Sequence, residues 1–140
     1  MSAVAVAVVD TDVYSHLFVH RNSVDPRVPA WRELLRDRRV LISFQTRAEL
    51  LAGALADGWG ARRRTDLRMV LDQTPTIRSD NQVVDAHADL TSACRRLGHA
   101  LHAKHHTADR WVAASAIAKG AALLAGDGIY QNAPGLDLLS

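Results

Sequence analysis

The stretch Ala3-Val4-Ala5-Val6-Ala7-Val8-Val9-Asp10 decides how the rest of the chain is read. An unbroken apolar run rich in Val suits a strand buried on both faces of a parallel sheet. The run ends on an acid. A second run, Ala121-Ala122-Leu123-Leu124-Ala125-Gly126, also ends on an acid, Asp127. Between the two, Val40-Leu41-Ile42-Ser43 reads as a short strand. Thr74-Pro75-Thr76-Ile77 reads as a weaker strand near an edge, because proline cannot donate to a ladder, and residues 136–139 read as a last one. Helical spacing of apolar residues is seen over 13–20, 30–38, 46–56, 60–72, 80–97 (stopped by Gly98) and 107–119 (stopped by Gly120). Strands alternating with helices imply an α/β fold, with a mostly parallel sheet of about five strands covered by helices on both sides. No repeat, linker or low-complexity tract divides the chain, so one domain over residues 1–140 is expected.

In such sheets, the carboxyl ends of strands and the starts of the following helices share one edge, where ligands bind. Asp10 and Asp127 end strands; Glu49 and Asp109 fall in the first turns of predicted helices. Each acid also has a purely structural explanation. Asp10 is a favoured helix N-cap. Thr46-Arg47-Ala48-Glu49 spells a capping box, in which Glu49 would bond back to the Thr46 backbone. Asp109 would be stabilised by a helix dipole, and Asp127-Gly128 is a turn signal. Their joint occurrence carries the functional reading. Crowded carboxylates repel unless a cation holds them, and Mg²⁺ or Mn²⁺ takes hard oxygen ligands with several retained waters. Such a centre activates water and neutralises charge on a phosphate under attack.

The 140 residues are 48% hydrophobic and 23% charged, which is ordinary globular composition. The net charge of +2 and pI near 9.1 lean basic. Arg supplies nearly all the positive charge, Lys only residues 104 and 119. Arg suits bidentate phosphate contacts, although Arg and Ala also rise together with genomic base composition. A single cysteine, Cys94, excludes an internal disulfide. The apolar start lacks a basic leader and runs directly into Asp10-Thr11-Asp12, unlike a signal peptide. No segment approaches the roughly 20 apolar residues of a membrane helix. A soluble, cytoplasmic protein with no membrane association is expected.

Taken in order, Val8-Val9-Asp10-Thr11-Asp12-Val13, Ser43-Phe44-Gln45-Thr46-Arg47-Ala48-Glu49-Leu50-Leu51-Ala52-Gly53, Ala108-Asp109-Arg110-Trp111-Val112-Ala113-Ala114-Ser115-Ala116, and Leu123-Leu124-Ala125-Gly126-Asp127-Gly128-Ile129-Tyr130 with Pro134-Gly135-Leu136 resemble the PIN-domain ribonucleases. The narrower resemblance is to the VapC-like toxins of bacterial toxin–antitoxin pairs. It covers nearly the whole chain and implies a PIN-like three-layer α/β/α sandwich. By that resemblance Asp10, Glu49, Asp109 and Asp127 form an acidic quartet for Mg²⁺ or Mn²⁺, with Asp10 and Asp109 as direct ligands. Glu49 and Asp127 complete the site directly or through water. Thr11 falls on a position that often assists, and Asp12 falls where relatives often carry Asn or Ser and adds a carboxylate. The implied function is a metal-dependent endoribonuclease cutting structured RNA such as tRNA or rRNA, restrained by a cognate VapB-like antitoxin and typically homodimeric. In one respect the chain departs from the pattern: where relatives often carry Thr or Ser before the fourth acid, it has Ala125 and Gly126.

Two other readings stay open on sequence. Asp10-Thr11-Asp12-Val13 and Gly126-Asp127 are similar to the first and last motifs of haloacid-dehalogenase-like phosphatases, but Gln131 stands where that pattern wants an acid. The third reading is a catalytically inactive domain that binds RNA or protein. His99, His102, His105 and His106 crowd one loop; they suit a zinc site, an RNA contact, or plain solvation. The same ambiguity attends the basic runs Arg62-Arg63-Arg64-Arg68, Arg36-Arg38-Arg39 and Arg95-Arg96, which suit phosphate binding or a solvated face.

Overall fold

The computed structural model describes residues 5–140, so Ala3 and Val4 of the opening run lie outside the described residues. β1 (Ala5–Val9) is the centre of the sheet: Ala7, Val8 and Val9 are fully buried. It pairs in parallel with β2 (Arg38–Ser43) on one side and β4 (Ala122–Leu124) on the other; β3 (Thr76–Ile77) flanks β2, giving the order β3-β2-β1-β4. Because strand side chains alternate, Val8 enters one core layer with Val83, Leu90, Leu101 and Val112, while Ala7 and Val9 enter the other with Tyr14, Trp31, Ile42 and Leu71. α5 (Asn81–Leu97) and α6 (Thr107–Ala118) cover the first face. α1 (Thr11–Tyr14), α2 (Val28–Leu35) and α4 (Ala61–Asp72) cover the second, and α3 (Phe44–Ala56) follows β2. The three-layer α/β/α arrangement is as expected.

The sheet has four strands rather than about five. Residues 136–139 make an isolated parallel bridge, Leu123 to Leu138, with Leu123 N–H donating to the Asp137 carbonyl and Leu139 N–H to the Leu123 carbonyl, each at 2.8 Å. β4 is too short, and the turn at Pro134-Gly135 too close, for a longer ladder. The predicted helix 13–20 begins two residues earlier and changes character. α1 runs into a π-helical turn, Ser15–Val19, closed by His20 N–H donating to the Ser15 carbonyl at 2.8 Å.

The His-rich segment folds into two 3₁₀ turns, Ala100–His102 and Lys104–His106. His99 Nδ1 accepts from Leu101 N–H at 3.1 Å, which leaves Nε2 to donate to the Gln131 carbonyl at 2.7 Å. Beneath the segment lies Arg110, only 6% exposed. Its guanidinium donates to the carbonyls of Leu101 and of Ala103 (2.8 Å) and to Thr107 Oγ1 (3.1 Å). An Arg110→Met variant would leave the buried Leu101 carbonyl unpaired, at about 1–3 kcal/mol, and the Ala103 carbonyl with only its bond from His106 N–H (3.0 Å). We expect it to lose about 2–3 kcal/mol of stability in urea denaturation; a variant as stable as the wild type would show that the guanidinium does not tie this segment down.

Candidate active site

Asp10 leaves β1 and caps α1. One carboxylate oxygen accepts from Val13 N–H at 2.9 Å and the other from Gly126 N–H at 3.0 Å. The structural and functional readings of this residue therefore coexist. Asp10 is 5% exposed. Burial lifts its pKa to about 6; the backbone N–H groups of Val13, Gly126 and Asp127 oppose the rise, and the charge of Asp12 adds to it.

Glu49 is not in a capping box. α3 starts at Phe44, and Ser43 caps it by accepting from Thr46 N–H at 3.1 Å. Thr46 is fully buried, with its hydroxyl 3.1 Å from that of Thr11. Glu49 thus sits in the second turn, with its carboxylate free to face the sheet edge, where it accepts from the Thr11 hydroxyl and from Gln45 Nε2 (3.0 Å). Asp109 lies in the first turn of α6, as expected. His106 Nδ1 lies 2.8 Å from one of its oxygens, and Tyr130 Oη lies 3.4 Å from the other. Asp127 follows β4 and accepts from Ile129 N–H at 3.0 Å, the turn contact its Asp-Gly signal suggested.

All four acids line one cavity of about 170 Å³, together with Thr11, Asp12, Val112 and Tyr130. Among the described residues, no Lys, Arg, His or Cys lines it. At about 30 Å³ per water that is space for roughly five or six waters. Among the described residues, no group of three or more acid, His or Cys side chains is placed to hold a metal ion together. An arrangement with fewer than three such ligands suits Mg²⁺ and Mn²⁺, which use few carboxylates and complete their shell with water and substrate oxygens. It does not fit zinc. His99 is committed to backbone groups, and His106 to Asp109.

Tyr130 is the contributor that sequence reasoning missed. It is 2% exposed, and burial, followed by the charges of Asp109, Asp10 and Glu49, holds its hydroxyl far above the ordinary tyrosine range. That leaves a neutral O–H donor inside an acidic cavity. Its place three residues after Asp127 was the available signal, since a 3₁₀ turn brings residues three apart onto one side. Asp12 does reach the cavity, but its oxygens face Arg27 (3.2 Å) and His16 (3.4 Å). Among the described residues, the larger grooves lined by α4 or by α5 do not gather acids from separate elements in this way.

A parallel sheet flanked by helices carries acids from four separate segments at its carboxyl edge, and comparison with known proteins shows the class to which the fold belongs. The fold is similar to VapBC2 from Rickettsia felis bound to a fragment of promoter DNA (TM-score 0.74, 19% identity, covering 95% of this chain and 96% of that one). It is also similar to VapBC-1 from nontypeable Haemophilus influenzae (0.74, 18%, 96% and 97%) and to FitAcB from Neisseria gonorrhoeae (0.69, 23%, 96% and 96%). No curated protein sequence matches the chain significantly. The PIN domain family model matches residues 7–136, and the chain belongs to that family. PIN domains are typically nucleases and generally use divalent metal ions.

Proposed function

We propose that this protein is a metal-dependent endoribonuclease of the VapC-like toxin kind. The observation that carries the proposal is the convergence of Asp10, Glu49, Asp109 and Asp127 on one cavity in a PIN-family chain. Asp10 and Asp109 would hold Mg²⁺ or Mn²⁺, with Glu49 and Asp127 completing the site directly or through water. The ion would supply charge neutralisation at the phosphodiester and a water of lowered pKa. The chain's own groups set the stage. Thr11 and Gln45 orient Glu49, His106 orients Asp109, and the Tyr130 hydroxyl offers a neutral donor among the acids. By family resemblance the products carry a 5′-phosphate and a 3′-hydroxyl.

The restraining partner in this reading is a VapB-like antitoxin, supported by the similarity in fold to VapBC and FitAcB. A groove of about 450 Å³ between the π-helical turn and α4, lined by Phe18, Val19, Trp59, Arg63, Leu67 and Val70, suits an inserted helix. A homodimer and a cytoplasmic site of action belong to the same proposal. Among the described residues, no helix is long and apolar enough to cross a membrane.

The test is incubation of a tRNA and rRNA pool with the purified chain. Discrete fragments with 5′-phosphate ends are expected with Mn²⁺ or Mg²⁺, none with excess EDTA, and recovery when metal is returned. Cleavage that persists in EDTA, or a folded protein that cuts no RNA with either ion, would refute the reading.

A further inference from the structure

Gly126 is where this chain departs from the pattern it resembles, and the structure gives a reason. Its backbone does not demand glycine, because it is not among the positive-φ glycines 58, 98, 120 and 135. What it lacks is room. A Cβ built there would lie 2.0 Å from Asp12 Oδ2, 2.9 Å from Asp12 Cγ and 3.3 Å from Arg27 Nη1, whereas at every other glycine a Cβ would meet nothing within 4 Å. The Asp12 carboxylate therefore occupies the space a side chain at 126 would fill.

Arg27 holds that carboxylate in place. Its Nη2 lies 3.2 Å from Asp12 Oδ2. Its Nε and Nη2 donate to the two oxygens of Asp25 at 3.0 and 2.9 Å, and its guanidinium lies 4.6 Å above the Trp31 ring. Nη1 donates to the Gly126 carbonyl at 3.1 Å. The same residue's N–H donates to Asp10, and the next residue is Asp127. One residue, through two successive peptide units, thus donates its N–H to Asp10 while its carbonyl is gripped by Arg27.

We propose that Asp12, Arg27 and Gly126 form a clamp that positions Asp10 and Asp127, so that Arg27 and Asp12 are positioning residues for the acidic site. The functional meaning rests on the metal-dependent reading above; the clamp itself does not. Arginine is required because one planar fork must serve two carboxylates and a carbonyl together, which a lysine cannot do.

Gly126→Ala should push Asp12 aside at little cost to folding, since the obstructing atom ends a half-exposed side chain. The experiment follows two readouts in the full-length protein: hydrogen exchange of the residue 126 amide, corrected for residue type, and Mn²⁺ affinity by calorimetry. Arg27→Ala, Arg27→Lys and Gly126→Ala are each expected to speed exchange at 126 about ten-fold while leaving the amides of Val8 and Leu123 and the melting temperature essentially unchanged. Each should also weaken Mn²⁺ binding about ten-fold. Adding Asp12→Ala to Gly126→Ala removes the clash and should return both readouts to the level of Asp12→Ala alone. Unchanged exchange in Arg27→Ala, unchanged Mn²⁺ affinity in all three single variants, or a double variant more impaired than Asp12→Ala alone would overturn the clamp. A wild type that binds no Mn²⁺ would instead sink the proposed function, and exchange at 126 would still decide the clamp.

Discussion

Asp10→Asn is expected to abolish RNA cleavage while leaving a folded protein. Asn is as good an N-cap as Asp, so the bond from Val13 N–H, 2.9 Å in the wild type, can persist. The change removes a charge from a residue that is 5% exposed, which relieves a desolvation cost. Against that, the amide NH₂ would face the Gly126 N–H, donor against donor, at a cost of about 1–3 kcal/mol. These two effects oppose each other, so the fold should survive. The chemistry should not. A metal-stabilised transition state is worth several kcal/mol; at ten-fold per 1.36 kcal/mol, its loss is about a thousand-fold in rate. Asp109→Asn should behave alike. Single-turnover cleavage in Mn²⁺, with circular dichroism on the same samples, checks both. Two folded variants within ten-fold of the wild type would remove Asp10 and Asp109 from the proposed machinery.

What was legible in the chain divides by the range of the interaction involved. The buried β1 run and the acids that end β1 and β4 were readable because strand periodicity and strand ends are local properties. So was the long helix over 80–97, seen as α5 (Asn81–Leu97), which ends on Gly98 in the left-handed conformation. Glu49 was only half readable. Thr46 and Glu49 have capping-box spacing, but Ser43 is one helical turn earlier and takes the cap, and burial of Thr46 under α1 depends on contacts 35 residues away. The last predicted strand failed for a similar reason, because whether residues 136–139 form a ladder depends on how many β4 residues remain to pair with them. The loss of a hydroxyl at Gly126 was visible, but its reason was not, since Asp12 and Arg27 reach it from segments 114 and 99 residues away in the chain. Tyr130 lay within sight of Asp127 in sequence, yet an aromatic ring three residues past an acid most often fills a core, and this one does so while also lending its hydroxyl to the cavity.

The metal-free protein should lose stability through Asp10 as pH rises from about 4 to about 6, the reverse of the usual carboxylate behaviour. The unfolded residue titrates near 3.8 and the folded one near 6. Between those values the folded state holds a proton that the unfolded state has released, so raising the pH favours unfolding. The difference of about two pH units corresponds to roughly 3 kcal/mol, fully present as a cost above pH 6 and absent below pH 4. His87, held below its ordinary range by burial against the Trp111 ring and by the charge of Arg110, works in the opposite direction, losing stability as pH falls below 6.5. Asp25, held well below the carboxylate range by Arg27, and Asp80, lowered by Lys119, lose their contributions only under more acid conditions. The Asp10 effect is therefore isolated by comparing the wild type with Asp10→Asn at each pH, because the other groups are common to both. In the presence of EDTA, the stability of the wild type relative to the variant should fall by roughly 3 kcal/mol between pH 4 and pH 7.5. Mn²⁺ should reverse the trend, because the ion binds the ionised carboxylate: at one hundred times its dissociation constant it would return about 2.7 kcal/mol to the wild type at pH 7.5 and little at pH 4.5. Urea denaturation across that range measures both arms. A difference that stays flat with pH in EDTA would mean that Asp10 is not the buried, proton-holding carboxylate at the centre of this site.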